Sequence, residues 1–289
     1  MPDIRNRREG GTDNVGGIQW RRRTRRARNA LAGAFIVGFL ALAGTLPLRA
    51  YDCPAERPAH LPPLEEPKDN IDQHKAQLRA YEQGMEEDKG AYYDDVKQVL
   101  DDALTYVMSR ADKVEGPAVV LDIDETSLSN WGNIAADDFG FIGAGECSMQ
   151  PKLACGFPAW INRAEAEAIA PTLKFFNAVR AKGVAVFFIT GRRDSQRRVT
   201  ILNLRREGFQ DWTELATRPD DDNRDTIVPF KSGERAKIEN GEKPYDKPYH
   251  IIGTIGDQKS DLIGNPDGKD TSSHAECGFK IPNPFYFIK

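Results

Sequence analysis

A chain of 289 residues with 39% hydrophobic content has room for one large or two ordinary domains and enough apolar side chains for a real core. Its net charge of -4 conceals an asymmetry: nine arginines fall within residues 1–28, whereas the chain after Arg49 carries 30 basic against 41 acidic residues. A body that acidic repels polyanions, which argues against nucleic-acid polymers as partners while leaving a small phosphate ester free to enter a locally positive site.

Residues 1–29 read as a basic cytoplasmic segment. They run into Ala30–Leu46, seventeen residues without a charge, then Pro47, Leu48 and Arg49. The stretch 30–48 is therefore expected to be a transmembrane anchor or a signal peptide, its length falling between the two. Arginines on its N-terminal side predict an extracytoplasmic body, periplasmic or at the cell surface. Leu48-Arg49-Ala50 is a mediocre cleavage site, so membrane anchorage stays open beside secretion. All four cysteines, Cys53, Cys147, Cys155 and Cys277, follow this stretch. Three pairings are open to them; Cys147 with Cys155 closes a short loop and comes first, which would leave Cys53 to tie onto Cys277. No Cys-x-x-Cys pair or His at ligand spacing points to zinc.

Residues 49–69, rich in proline and charge, suit an extended linker. Residues 70–112 turn helical, with Val96, Val99, Leu100, Ala103, Leu104, Val107 and Met108 recurring at three- and four-residue steps. Gly116-Pro117 ends that run. Ala118–Leu121 is then short and continuously apolar, as in a strand buried on both faces, and it leads at once into Asp122 and Asp124. An insertion of about 127–160 holds Trp131, Phe139, Phe141, Phe157 and Trp160. Trp131 and Trp160 could form a wall that stacks on substrate; equally, the aromatic residues could fill a small core.

Helical patterns over Ala164–Lys182 and Asp194–Glu207 alternate with two further buried strands. Val184–Ile189 ends in Thr190-Gly191-Arg192, and His250–Ile255 ends in Gly256-Asp257. The predicted fold is therefore α/β, a parallel sheet flanked by helices, with ligand-binding residues past the C-terminal strand ends.

The strand ends carry what phosphoryl transfer requires: a nucleophile, a proton donor and positive charge. Asp122 and Asp124, two residues apart, point the same way in extended chain, so one can attack phosphorus while the other protonates the leaving oxygen. Two carboxylates facing a phosphate call for a divalent, oxygen-liking cation, Mg2+. Asp122, the carbonyl of Asp124 and Asp257 would be its protein ligands, with Asp261 supporting them. Each motif alone has a plainer reading, as a helix cap or a turn. Strand-plus-Asp, strand-plus-Thr, Lys and strand-plus-Asp in that order are harder to explain away.

The ordered series DIDET (122–126), FFITGR (187–192), FKSGERAKIE (230–239) and GDQKSD (256–261) resembles the four motifs of the haloacid dehalogenase superfamily. The stretch from Arg197 to Phe209 and the terminal KIPNPFYFI, Lys280–Ile288, resemble its class B acid phosphatase branch, which includes plant acid phosphatases, vegetative storage proteins and bacterial lipoprotein acid phosphatases. The resemblance implies a Rossmann-like domain over 70–289 with a small cap inserted after the first strand. It implies Mg2+-dependent hydrolysis of small phosphomonoesters through an aspartyl-phosphate on Asp122, with Asp124 as general acid and then base. Thr190 would hold phosphoryl oxygens, with Gly191 and Arg192 at the substrate. Lys231 would be the motif-three lysine, with Lys237 as rival. Alternatives are a phosphotransferase that passes the phosphoryl group to an alcohol, or a silent storage or binding homologue. No Cys directly follows the apolar segment, so a lipid anchor is not implied.

Overall fold

A computed structural model describes residues 51–64, 68–84, 90–147, 155–265 and 268–288, all within one compact unit, Ala50–Lys289. The helical region resolves into α1, Ile71–Gln83, and α2, Ala91–Arg110. Asn70 opens α1 by accepting the backbone N–H of Asp72 at 2.8 Å, an N-cap that satisfies one of the orphan donors of the first turn. On α2 the buried face is Val96, Val99, Leu100, Ala103 and Val107, the periodicity legible in the sequence.

The chain then enters β1, Pro117–Leu121. A pair of short strands, β2 at Leu128–Ser129 and β3 at Glu167–Ala168, pairs antiparallel. Between them lie α3, Trp131–Ala136, and α4, Phe157–Arg163. This excursion occupies the stretch where the resemblance predicts a cap, and the small two-stranded sheet brings its two ends together. The helix expected from Ala164 begins later, as α5, Ala170–Ala181, because β3 occupies the first part of that stretch and Ala164 turns left-handed to end α4.

Next come β4, Ala185–Arg193; α6, Arg197–Arg206; β5, Glu214–Arg218; α7, Val228–Asn240; β6, His250–Gly256; and β7, Cys277–Lys280. The main sheet has the order β5-β4-β1-β6-β7, and every pairing in it is parallel. Helices cover both faces. Val119 and Leu121 of β1 join the core under α2 and α5, while Ala118 and Val120 join a second core with Phe230 and Ile238 of α7. A strand buried on both faces must be apolar at every position, which is why it reads as an unbroken run.

The segment 51–64 has no helix or strand, and it is fastened to the domain. Cys53 is disulfide-bonded to Cys277, Arg57 pairs with Asp102, and the His60 backbone N–H donates to buried Asp95 at 2.6 Å. The second disulfide joins Cys147 to Cys155.

The expected membrane anchor, membrane partnership and extracytoplasmic location need correction. Among the described residues no helix is long and apolar enough to cross a membrane. The stretch 30–48 on which that expectation rested lies outside the described residues.

Candidate active site

Parallel register brings the functional residues together. Leu121 pairs with Phe188 of β4 and with Ile255 of β6, so Thr190 and Asp257 each lie two residues beyond those partners, flanking the end of β1. The Asp122 N–H continues the ladder by donating to the Ile255 carbonyl at 3.0 Å. Lys231 comes from the first turn of α7, which Pro229 helps to start and whose neighbours Ile227 and Phe230 are packed under the sheet. Its ammonium donates to Asp122 Oδ1 at 2.8 Å and also reaches Asp261 Oδ1. Lys237, the rival, instead pairs with Glu234 at 2.6 Å and is half-exposed.

Asp122, Asp257 and Asp261 are buried, and one oxygen of each lies within 4.8 Å of the others. Burial pushes the Asp122 carboxyl well above the ordinary range; Lys231 pulls it back, and the other aspartates push it further up. Burial, then Asp261, pushes Asp257 up to about 6. Burial disfavours the Lys231 ammonium, but Asp122 and Asp261 outweigh that and hold its pKa above the usual lysine value. Three desolvated carboxylates against one ammonium leave excess negative charge, and the donors are all hard oxygens. This cluster can coordinate a divalent metal.

Asp261 is aimed by a 3-10 turn, Lys259–Asp261, in which its Oδ2 accepts the Gln258 N–H at 2.9 Å. The turn fits only because residue 256 is glycine: a Cβ there would lie 2.2 Å from the Asp261 Cβ. Asp257 is oriented through Oδ2, which accepts Gln258 Nε2 and Asn283 Nδ2, both at 2.6 Å.

Asp124 is the more open carboxylate, with 17% of its side chain exposed. Its Oδ1 accepts Arg192 Nε at 3.0 Å, Arg192 Nη2 at 2.8 Å and Asn130 Nδ2 at 2.9 Å, whereas Oδ2 receives Arg192 Nε at 3.3 Å. Thr190 is fully buried, with its hydroxyl accepting the Arg192 N–H at 3.2 Å. A Cβ at Gly191 would fall 2.8 Å from Ile227 Cδ1, so that residue lets β4 pass close to the start of α7. β4 continues through Arg193, although Thr190-Gly191-Arg192 reads as a turn in the sequence.

The two tryptophans separate. Trp160 donates its indole N–H to Asn130 Oδ1 at 2.9 Å, beside the carboxylates. Trp131 packs against Phe139 and Phe285, with ring centroids 5.8 and 5.2 Å away. That is apolar packing against two phenylalanine rings.

Several residues at the site carry no sequence assignment. Glu125 takes a left-handed φ of 52°, which lets the chain fold back so that its N–H reaches the Leu128 carbonyl at 2.9 Å. Its buried carboxylate accepts the Asn130 N–H and the Tyr286 hydroxyl, at 2.5 and 2.7 Å, and burial followed by Asp124 pushes it up to about 8. Asn283 and Tyr286 both belong to the C-terminal KIPNPFYFI stretch, whose distinctive composition was the available signal.

A family described as HAD superfamily, subfamily IIIB (acid phosphatase), matches residues 64–289. Acid phosphatase 1 of Solanum lycopersicum is 34% identical over 199 residues, covering 68% of this chain and 69% of that protein. Vegetative storage protein 1 of Arabidopsis thaliana is 26% identical over 221 residues, covering 76% and 73% respectively. Among solved structures, a class C acid phosphatase from Bacillus anthracis with tungstate bound superposes with a TM-score of 0.52. At 24% identity over 74% of this chain and 86% of that one, it is a likeness of fold.

Proposed function

The chain belongs to the haloacid dehalogenase superfamily, subfamily IIIB, the acid phosphatases, and from that premise we propose how its residues divide the work of hydrolysing a small phosphomonoester. The observation that carries the reading is the buried Asp122 at a strand end, paired with Lys231 and grouped with Asp257 and Asp261.

Asp122 is the nucleophile. One of its oxygens forms a bond to phosphorus as the ester P–O bond breaks, and the departing oxygen takes a proton from Asp124. In the second half, Asp124 accepts a proton from water as that water attacks phosphorus and releases Asp122. Lys231 places positive charge against the transferring group, and Thr190, with the backbone around Gly191, holds its oxygens. Arg192 holds Asp124 through a two-point contact and is itself buried.

Asp122, Asp257, Asp261 and the Asp124 carbonyl would hold Mg2+, for which an all-oxygen, acidic donor set is suited. When bound, the ion supplies charge neutralisation that lets an anionic nucleophile meet a phosphate. The substrate is a small phosphomonoester, and the acidic body disfavours nucleic-acid polymers.

Asp122→Asn tests the assignment. With far-UV circular dichroism unchanged, kcat should fall by at least about 10³-fold, and the acid-stable phosphate adduct trapped on wild-type peptide 117–130 should disappear. A variant that retained activity would remove Asp122 from the chemistry. A wild-type protein as inert as the variant across alkyl, sugar and aryl phosphates with Mg2+ would instead match a storage role.

A further inference from the structure

Asn130 lies in the turn between β2 and α3 and is fully buried. Its backbone N–H donates to Glu125 Oε1 at 2.5 Å, and its amide nitrogen donates to Asp124 Oδ1 at 2.9 Å and to Glu125 Oε2 at 3.1 Å. Its amide oxygen accepts the Trp160 indole N–H at 2.9 Å. Each polar group of the amide therefore has a partner, and Trp160 and Asp124 fix its orientation. An indole nitrogen only donates, so the amide oxygen must face it; the Asp124 carboxylate, paired with Arg192, accepts, so the amide nitrogen must face it. Rotating the amide by half a turn would set donor against donor at Trp160 and oxygen against the Asp124 carboxylate.

We propose that Asn130, held in one orientation by Trp160 of helix α4, is a positioning residue that keeps Asp124 aligned for proton donation to the leaving group. The inference rests on the role given to Asp124 above and adds a line of communication from α4 to that proton. Three donors converge on Asp124 Oδ1, two from Arg192 and one from Asn130, whereas Oδ2 receives a single longer contact from Arg192. The crowded oxygen is the anchored one. Oδ2 is thereby left to carry the proton, on a carboxylate whose side chain is 17% exposed.

Arg192 approaches from β4 and Asn130 from the turn between β2 and α3, so the carboxylate is gripped from two separate elements. Loss of the Asn130 contact would leave it pivoting about the guanidinium. Trp160 also packs close to the start of α3, where a Cβ at Gly132 would come 3.1 Å from its ring. A shift of α4 would therefore pull directly on the Asn130 amide.

The discriminating measurement is leaving-group dependence of kcat/KM, which covers every step through ester cleavage. A phenolate as stable as p-nitrophenolate leaves without a proton, whereas an alkoxide does not. Asn130→Ala should lower kcat/KM for an alkyl phosphate at least about tenfold more than for p-nitrophenyl phosphate. Trp160→Phe keeps a ring in place but removes the indole donor, and it should shift the ratio in the same direction by a smaller factor. Equal losses on the two substrates, or no loss, would overturn the proposal. If Asn130→Ala does not fold, Trp160→Phe decides: an unchanged ratio in that variant is a negative result. Failure of the underlying reading has a different signature, because wild type would then fail on both substrates or Asp122→Asn would remain active.

Discussion

Lys231 donates to Asp122 at 2.8 Å and reaches Asp261 from the same ammonium, so a buried ion cluster joins the first turn of α7 to the ends of β1 and β6. Deleting the cation leaves carboxylates without compensation in a desolvated site. Lys231→Met is expected to lose about 3 kcal/mol of stability at neutral pH, since breaking a buried pair from one side typically costs about 3–5 kcal/mol and protonation of an aspartate recovers part of it. Urea denaturation in chelator reads this directly. On the same reading kcat should drop by about 10² or more, because charge aimed at the transferring group is gone.

The central strands were legible because they are buried on both faces. Val119, Val120, Phe187, Phe188, Ile251 and Ile252 leave no polar alternation to confuse the reading. The edge strands were not. β5 alternates half-buried with buried residues over only five positions, and β7 spends one of its four on an exposed glycine, so neither produces an apolar run. At the site, Asp122 and Asp257 stood out because each follows a buried apolar run, as Thr190 follows Val184–Ile189 in the sequence, whereas Lys231 was distinguished from Lys237 only by the resemblance of FKSGER to a family motif. Asn130 did not, since its approach to Asp124 depends on the left-handed turn at Glu125, a backbone feature with no side-chain period. Asn283 lies far along the chain from Asp257 in spacing terms, and only the paired register of β6 and β7 brings the C-terminal stretch over the site.

Acid sensitivity should trace in part to Glu276, which accepts two bonds from Arg110 at 2.8 and 2.6 Å, one from the Tyr106 hydroxyl at 2.9 Å, and meets His250 Nε2 at 2.7 Å. Burial alone would raise its pKa, but Arg110, His250 and Tyr106 outweigh that and hold it below the usual glutamate value. A depressed folded pKa means that the contribution is fully present above the unfolded value of about 4.3 and is lost as pH falls through the lower folded value. Glu276→Gln should therefore cost on the order of 2–3 kcal/mol at pH 7. The gap between wild type and variant should close as pH drops below about 4. A gap constant across that range would refute the assignment.

Cys53–Cys277 spans 224 residues and fastens the segment ahead of α1 to the start of β7. Closing so long a loop removes chain entropy from the unfolded state, at most about 5 kcal/mol in the loop-closure description. The double variant Cys53→Ser/Cys277→Ser should lose about 2–5 kcal/mol by denaturant titration. Its kcat/KM at a temperature where it remains folded should stay within about twofold of wild type, because distant, independent sites act separately. A large loss of kcat/KM in the folded variant would mean that the bond also shapes the site.

Asn283 holds Asp257 by the oxygen opposite the one facing Thr126, whose hydroxyl lies 3.4 Å from Asp257 Oδ1. An outer partner of that kind orients a ligand, and its loss typically weakens metal affinity by about 10–100-fold. Chelation should abolish turnover and Mg2+ should restore it. Saturating Mg2+ should also raise the stability of the chelated protein, by about 2.7 kcal/mol at one hundred times Kd. Asn283→Ala should shift the Mg2+ titration of that stability gain to at least about tenfold higher concentration. The gain at saturation should survive, because Asp257 itself remains. Titrating stability without substrate separates this from any effect on catalysis. An unchanged midpoint alongside reduced turnover would assign Asn283 to the substrate side of the site and leave Asp257 held by Gln258 and Thr126.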